Sequence, residues 1–155
     1  MNVDLAAQRA MDHLAKAGFD RLSESDRILA AVWQFAAGVS NSGFSGYYAS
    51  RRADLAFYVP TALQQIGSRD LVAIAREANA QFGGDGPSPD PAVRARATAV
   101  LRVLGSRDFL LRRCYRTQEP MDFFTLVLGG SFRGGRPASR ADAQTAFYRV
   151  TGTPY

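Results

Sequence analysis

Two groups of residues in this 155-residue chain have the types and spacing to do chemistry. The first lies in VSNSGFSGYYAS, residues 39–50. Here Asn41, Gly43, Phe44, Tyr47 and Tyr48 bring together an amide, a backbone free to turn and three aromatic rings. Such a set could line a cleft for a small ligand or for a partner's side chain. It could equally build a helix corner. In that reading Asn41 caps a short helix, and Gly43 and Gly46 admit a close neighbour or unusual dihedrals. Phe44 and either Tyr47 or Tyr48 then anchor the corner in the core. The corner is the expectation, and the cleft is its alternative. The second group is Arg112, Arg113 and Arg116, the densest basic cluster. Arg112 and Arg116 stand one helical turn apart. Arg94 and Arg102 of the preceding helix join them if the chain folds back at Gly105. Guanidinium groups so placed grip phosphates. The plainer reading is a solvated face paired with Asp108 and Glu119.

The remaining reactive residue types are sparse. His13 is the only histidine, so any histidine-dependent triad would have to use it. Its polar flanks mark a surface or boundary residue. GFSG at 43–46 lacks the final glycine of a nucleophile elbow, since position 47 is Tyr. Cys114 continues the apolar face of Leu110 and Leu111 and reads as a buried thiol. One cysteine and one histidine are too few for a zinc site. GGSFRGGR has no Gly-Lys-Ser/Thr ending, so it is no phosphate loop. It holds a single RGG element, which reads as a surface loop. Asp85 and Asp90, separated by prolines, do not make a calcium loop. No catalytic residue, metal or cofactor is expected, and the chain reads as a non-enzyme.

Composition sets the frame for these groups. With 46% apolar residues, one globular domain over 1–155 is expected. No apolar run approaches the ~18 residues of a membrane span. The start, MNVDLAAQ, lacks a basic stretch and greasy core, so no secretory signal is expected. A lone cysteine fits a reducing, bacterial cytoplasm. Residues 1–77 carry eight basic and eight acidic side chains, and residues 78–155 carry eleven and six. All the net charge of +5 therefore lies in the second half, where nucleic acid or an acidic protein could be drawn.

The elements that position these residues are helical almost throughout. Val3, Ala7, Ala10, Leu14 and Ala17 form one stripe, with Gly18 as the stop. Ser23 and Asp26 resemble a capping box, followed by Ile28, Val32, Phe35, Ala36 and Val39, with Gly38 at the expected end. Pro60 opens a new helix over 60–66, closed by Gly67. Ser68 caps the next, whose inner face is Leu71, Ile74, Ala75, Ala78 and Phe82. GGDGPSPDP (83–91) is the clearest loop. Asp90-Pro91 then starts a helix with Val93, Ala97, Val100, Leu101 and Leu104 inward. Gly105-Ser106 leads into a helix through about Thr117. MDFFTLVL (121–128) is ambiguous between helix and strand. GGSFRGGRP (129–137) reads as a loop, and Ser139 starts a last helix to about Val150. ALQQIGSRDL (62–71) and VLRVLGSRDF (100–109) share GSRD at a helix–turn–helix corner.

In this order the motifs resemble the bacterial DNA-mimic-protein C-terminal domain family. Its hallmark is E-V-N-N-G-G-F-x-Q-[YF]-F followed by A-L-x-x-I-G. Val39, Asn41, Gly43, Phe44, Tyr47 and Tyr48 match the first part. Ala62, Leu63, Ile66 and Gly67 match the second. The likeness covers about 23–82, with a vaguer helical likeness to 118, which leaves 119–155 as a C-terminal extension. Gly38, Ser40, Ser42 and Gly46 depart from the pattern. The resemblance implies an all-helical domain that binds other proteins and has no known catalysis. DNA mimicry does not carry over, because fourteen scattered acidic residues face nineteen basic ones. The expectation is therefore a single all-α domain of six or seven helices. It acts as a non-catalytic module whose partner is another protein, with no membrane role. The alternative is nucleic-acid or phosphate binding by the Arg-rich C-terminal half.

Overall fold

The computed structural model describes residues 3–103, together with 132–133 and 136–137. Over 3–103 it is all-α. Helix α1, Val3–Ala17, buries Ala6, Ala7 and Ala10 and half-buries Met11 and Leu14. Ala7, Ala10 and Leu14 turn inward as expected, and Ala17, the last residue of the helix, is exposed. Gly18 ends α1 with φ 78°, a value that glycine adopts without a Cβ clash. A 3-10 turn, Phe19–Arg21, follows.

Ser23 caps α2, Glu24–Tyr48, and its Oγ accepts from the Asp26 amide at 3.1 Å. Asp26 does not complete the box. Its carboxylate instead meets His13 Nδ1 at 3.0 Å, linking α1 to the first turn of α2. Ile28, Val32, Phe35, Ala36 and Val39 are buried as their spacing requires. The expected stop at Gly38 is corrected: the helix runs past it and breaks at Gly43, where φ is 66° and ψ 179°. Gly38 is needed for a different reason. A Cβ there would lie 2.5 Å from Tyr47 Cδ2, so only glycine lets the ring rest on the helix.

After a 3-10 turn over Arg51–Leu55 come α3, Val59–Gln65, and α4, Arg69–Ala80. Pro60 sits in the first turn of α3, and Gly67 (φ 80°) reverses the chain into α4. Ser68 holds the N-cap position without a side-chain cap bond; its Oγ is buried and unpartnered. Leu71, Ile74, Ala75 and Ala78 join the core, and Phe82 packs against it. The 83–91 loop delivers α5, Pro91–Val103, with Asp90 Oδ1 accepting from the Ala92 amide at 2.8 Å. Val93 is not inward but 40% exposed. Arg94 and Thr98 are the buried residues at the start of α5, with Ala97 half-buried; the side chains of Val100, Leu101 and Leu104 lie outside the described residues.

Phe132 pairs with Pro137, and Arg133 with Arg136, in a two-residue antiparallel ladder inside the stretch read as a loop. Gly134-Gly135 lies between them in sequence, a dipeptide that such hairpins favour. The second GSRD copy, the helix after it, Cys114, MDFFTLVL and the last helix lie outside the described residues. Among the described residues no helix is long and apolar enough to cross a membrane.

The dihedrals at Gly43 are open in practice only to glycine. Gly43→Ala should cost about 1–3 kcal/mol in urea unfolding. Gly84→Ala, at a site with open space around the added carbon, should stay within about 0.5 kcal/mol.

Candidate functional site

The break at Gly43 turns the last residues of α2 so that their rings enter the core. Phe44, Tyr47 and Tyr48 are 3%, 1% and 3% exposed. Phe35 meets Phe44 at 6.0 Å and Tyr47 at 5.5 Å, both edge to face. Tyr47 meets Tyr48 at 5.0 Å, and Tyr48 meets Phe82 at 4.6 Å. Such pairs favour edge contacts because the ring face is electron-rich and the ring edge is not. The rings therefore fill the space that a cleft would need. Asn41 is exposed on α2 and does not cap a helix, which corrects that expectation; the chain is already helical there. The amide and the rings thus point to different surroundings.

The two buried hydroxyls differ. Tyr48 Oη donates to Asn79 Oδ1 at 2.7 Å, and Asn79 Nδ2 donates to the Ala56 carbonyl at 2.8 Å. Tyr47 Oη is buried with no hydrogen-bond partner. Burial drives the Tyr47 pKa up, with Arg94 opposing and Asp54 adding to the rise. Burial also pushes Tyr48 well above its usual range, and Tyr47 contributes.

Arg94 is fully buried, and this corrects its placement in an anion-binding cluster. A guanidinium has five N–H donors, and here all five are used within the chain. Nε donates to the Tyr48 carbonyl at 3.0 Å. Nη1 donates to the carbonyls of Ser88 at 2.7 Å and Pro89 at 3.0 Å. Nη2 donates to the Ser50 carbonyl at 2.8 Å and to Asp54 Oδ1 at 2.5 Å. Thr98 Oγ1 donates back to the Arg94 carbonyl at 2.6 Å. No donor remains for a phosphate. Arg102 falls in α5 with its side chain outside the described set; Arg112, Arg113 and Arg116 also lie outside it.

On the other face of the same α2 segment, a groove of about 380 Å³ separates it from α5. Ser45, Gly46 and Ala49 line one side, and Ala95 and Ala99 the other. Among the described residues no group of three His, Cys, Asp or Glu could hold a metal ion.

The surface carries one feature that periodicity did not flag. Phe57 is 59% exposed, its ring edge-on to Phe19 at 5.3 Å. Phe19 also meets Tyr58 at 5.1 Å and lies under the Arg27 guanidinium at 5.1 Å. Arg27 is fixed there by donating to the carbonyls of Phe19 and Asp20. Partial burial raises the Tyr58 pKa, the Glu24 carboxylate adds to this, and Arg27 opposes it. The signal in the sequence was an aromatic pair, Phe57-Tyr58, just before Pro60, where no helix face had yet begun.

A family model described as DMP19-like protein matches residues 20–109. No curated protein and no solved structure matches the chain. The match spans α2 through α5 and leaves α1 outside.

Two outcomes follow from this geometry. Arg94→Ala should cost about 3–5 kcal/mol, since it strips a buried ion pair and four carbonyls of their donor. Arg94→Lys should still cost at least about 2 kcal/mol, because one ammonium does not reproduce the five-donor fork; chemical denaturation checks both. Tyr47 and Tyr48 keep their protons in the folded state where the unfolded chain, at the usual 10.0, releases them. Their contribution to stability is complete below that value and falls as pH rises past it. In an alkaline titration their phenolate absorbance should appear together with loss of helical circular dichroism. Ionisation of both with the helices intact would contradict this burial.

Proposed function

The chain belongs to the DMP19-like protein family, and on that premise we propose that it is a protein-interaction module that works without catalysis. The observation that carries the reading is the filled interior at 39–50. The residues best suited to line a reactive or ligand-binding cleft are spent on packing. What remains for recognition is the outer surface.

That surface supports a protein partner recognised by shape and mixed charge. Residues 20–109 carry ten basic and nine acidic side chains. A stand-in for duplex DNA needs carboxylates in rows matching about one charge per 1.7 Å. This balance gives no such rows, so the module is proposed to bind protein by other means than mimicry. Arg94 adds to the same side of the ledger, since its charge is internal and cannot draw phosphates.

The test is affinity capture with the full chain from nuclease-treated bacterial lysate, followed by reconstitution with the purified partner. One reproducible protein that rebinds in purified form, with short duplex DNA failing to bind, is the expected result. No reproducible protein, together with salt-sensitive heparin retention lost in Arg112→Ala/Arg116→Ala, would favour the nucleic-acid alternative.

A further inference from the structure

We propose that the face formed by Phe57, Tyr58, Arg51 and Arg52 is the docking surface, and that it takes a protein segment carrying an apolar side chain beside carboxylates. The inference rests on the interaction-module reading and names the surface through which it works.

Three observations carry it. The first is Phe57 itself. A ring 59% exposed leaves apolar area in water that a partner would remove. The ring is held by the edge contact to Phe19, and Phe19 is pinned under Arg27. An aromatic group fixed before binding loses little freedom on binding, which is the property of an anchor residue. Tyr58, half-buried beside it, widens the aromatic surface.

The second is register. Amide-to-carbonyl bonds from Ala53 to Ser50, Ala56 to Ala53 and Tyr58 to Leu55 carry the 3-10 pattern through this segment. Side chains three apart eclipse in that geometry. Arg51 and Asp54, both within the 3-10 turn, therefore stand on one side of it, about 6 Å apart along its axis, and Phe57 follows two residues past its end. Arg94 neutralises Asp54 from inside.

The third is charge. Arg51 and Arg52 are exposed, and among the described residues neither has a carboxylate partner. The segment thus presents two exposed cations at its start and an exposed aromatic ring just past its end. A partner segment complements it with an apolar side chain over Phe57 and carboxylates toward Arg51 and Arg52. Nucleic acid fits less well. Glu24 acts on the Tyr58 hydroxyl, and Asp20 adjoins Phe19, so a phosphate backbone would meet carboxylates beside the ring.

The experiment is fluorescence anisotropy on the full chain with a labelled synthetic peptide of alternating glutamate and leucine. Controls are a polyglutamate peptide, a glutamine–leucine peptide and a short labelled duplex DNA. The glutamate–leucine peptide should bind best, with affinity falling as salt rises. Phe57→Ser should weaken it by about tenfold or more, as should Arg51→Glu/Arg52→Glu. Both variants should unfold near the wild-type temperature, because the altered groups are exposed. Binding that is absent, or unchanged in these variants, overturns the proposal. Tighter binding to duplex DNA that Arg51→Glu/Arg52→Glu abolishes overturns it in favour of nucleic acid. A reconstituted complex with the captured partner that survives Phe57→Ser overturns this surface and leaves the module reading standing. Failure to capture any protein overturns the module reading, while the peptide series still decides the surface.

Discussion

A buried guanidinium organises the second half of this domain. Taking an arginine side chain out of water is costly unless its charge and every donor are matched. Arg94 meets that condition through four backbone carbonyls and one carboxylate. Two of the carbonyls, those of Tyr48 and Ser50, lie at and just beyond the end of α2. The last carbonyls of a helix lack intrahelical partners and carry the negative end of its dipole. A cation placed there answers both needs. The other two carbonyls belong to Ser88 and Pro89 in the loop before α5. One side chain thus sets where three segments meet. Only a planar five-donor group reaches all of them.

The aromatic stack depends on that junction and on two glycines. Gly43 supplies the dihedrals that turn the end of α2, and Gly38 supplies the bare surface on which Tyr47 lies. The turn places Tyr48 with its carbonyl toward Arg94 and its hydroxyl toward Asn79. A single residue therefore joins α5 to α4 through opposite ends. Tyr47 shows the cost of tight packing, because its hydroxyl is enclosed without a partner. An unmet buried hydroxyl is unfavourable by about 1–3 kcal/mol. Its ring contacts with Phe35 and Tyr48 offset that.

How much of this was legible in the sequence follows from where each constraint resides. Local constraints were readable. Gly18 and Gly67 end helices with positive φ, Ser23 caps α2, Pro60 opens α3, and Asp90-Pro91 opens α5. Phe44 turns inward as the corner expected around Gly43 requires, and both tyrosines do so where one was expected, while Asn41 caps nothing. Tertiary constraints were not readable. Gly38 looked like a stop because glycine after an apolar run usually is one; its reason is a ring nine residues onward. Arg94 looked like a surface cation because arginine is seldom enclosed. Its acceptors stand as far as 46 residues away in sequence, beyond any periodicity. The start of α5 was misread with it: Val93 is exposed, while Arg94 and Thr98 are enclosed.

Helix α1 touches the rest of the domain differently from every other element. Its fully enclosed side chains are Ala6, Ala7 and Ala10, and an exposed His13–Asp26 contact ties its outer edge. Methyl groups let two helix axes come near one another but remove little oily area from water per residue. Such a layer is held by fit more than by adhesion, with the half-buried Met11 and Leu14 supplying most of its apolar cover. The chain therefore wears α1 as a shallow sleeve, and its amides are expected to trade hydrogen for deuterium before those at the Arg94 junction.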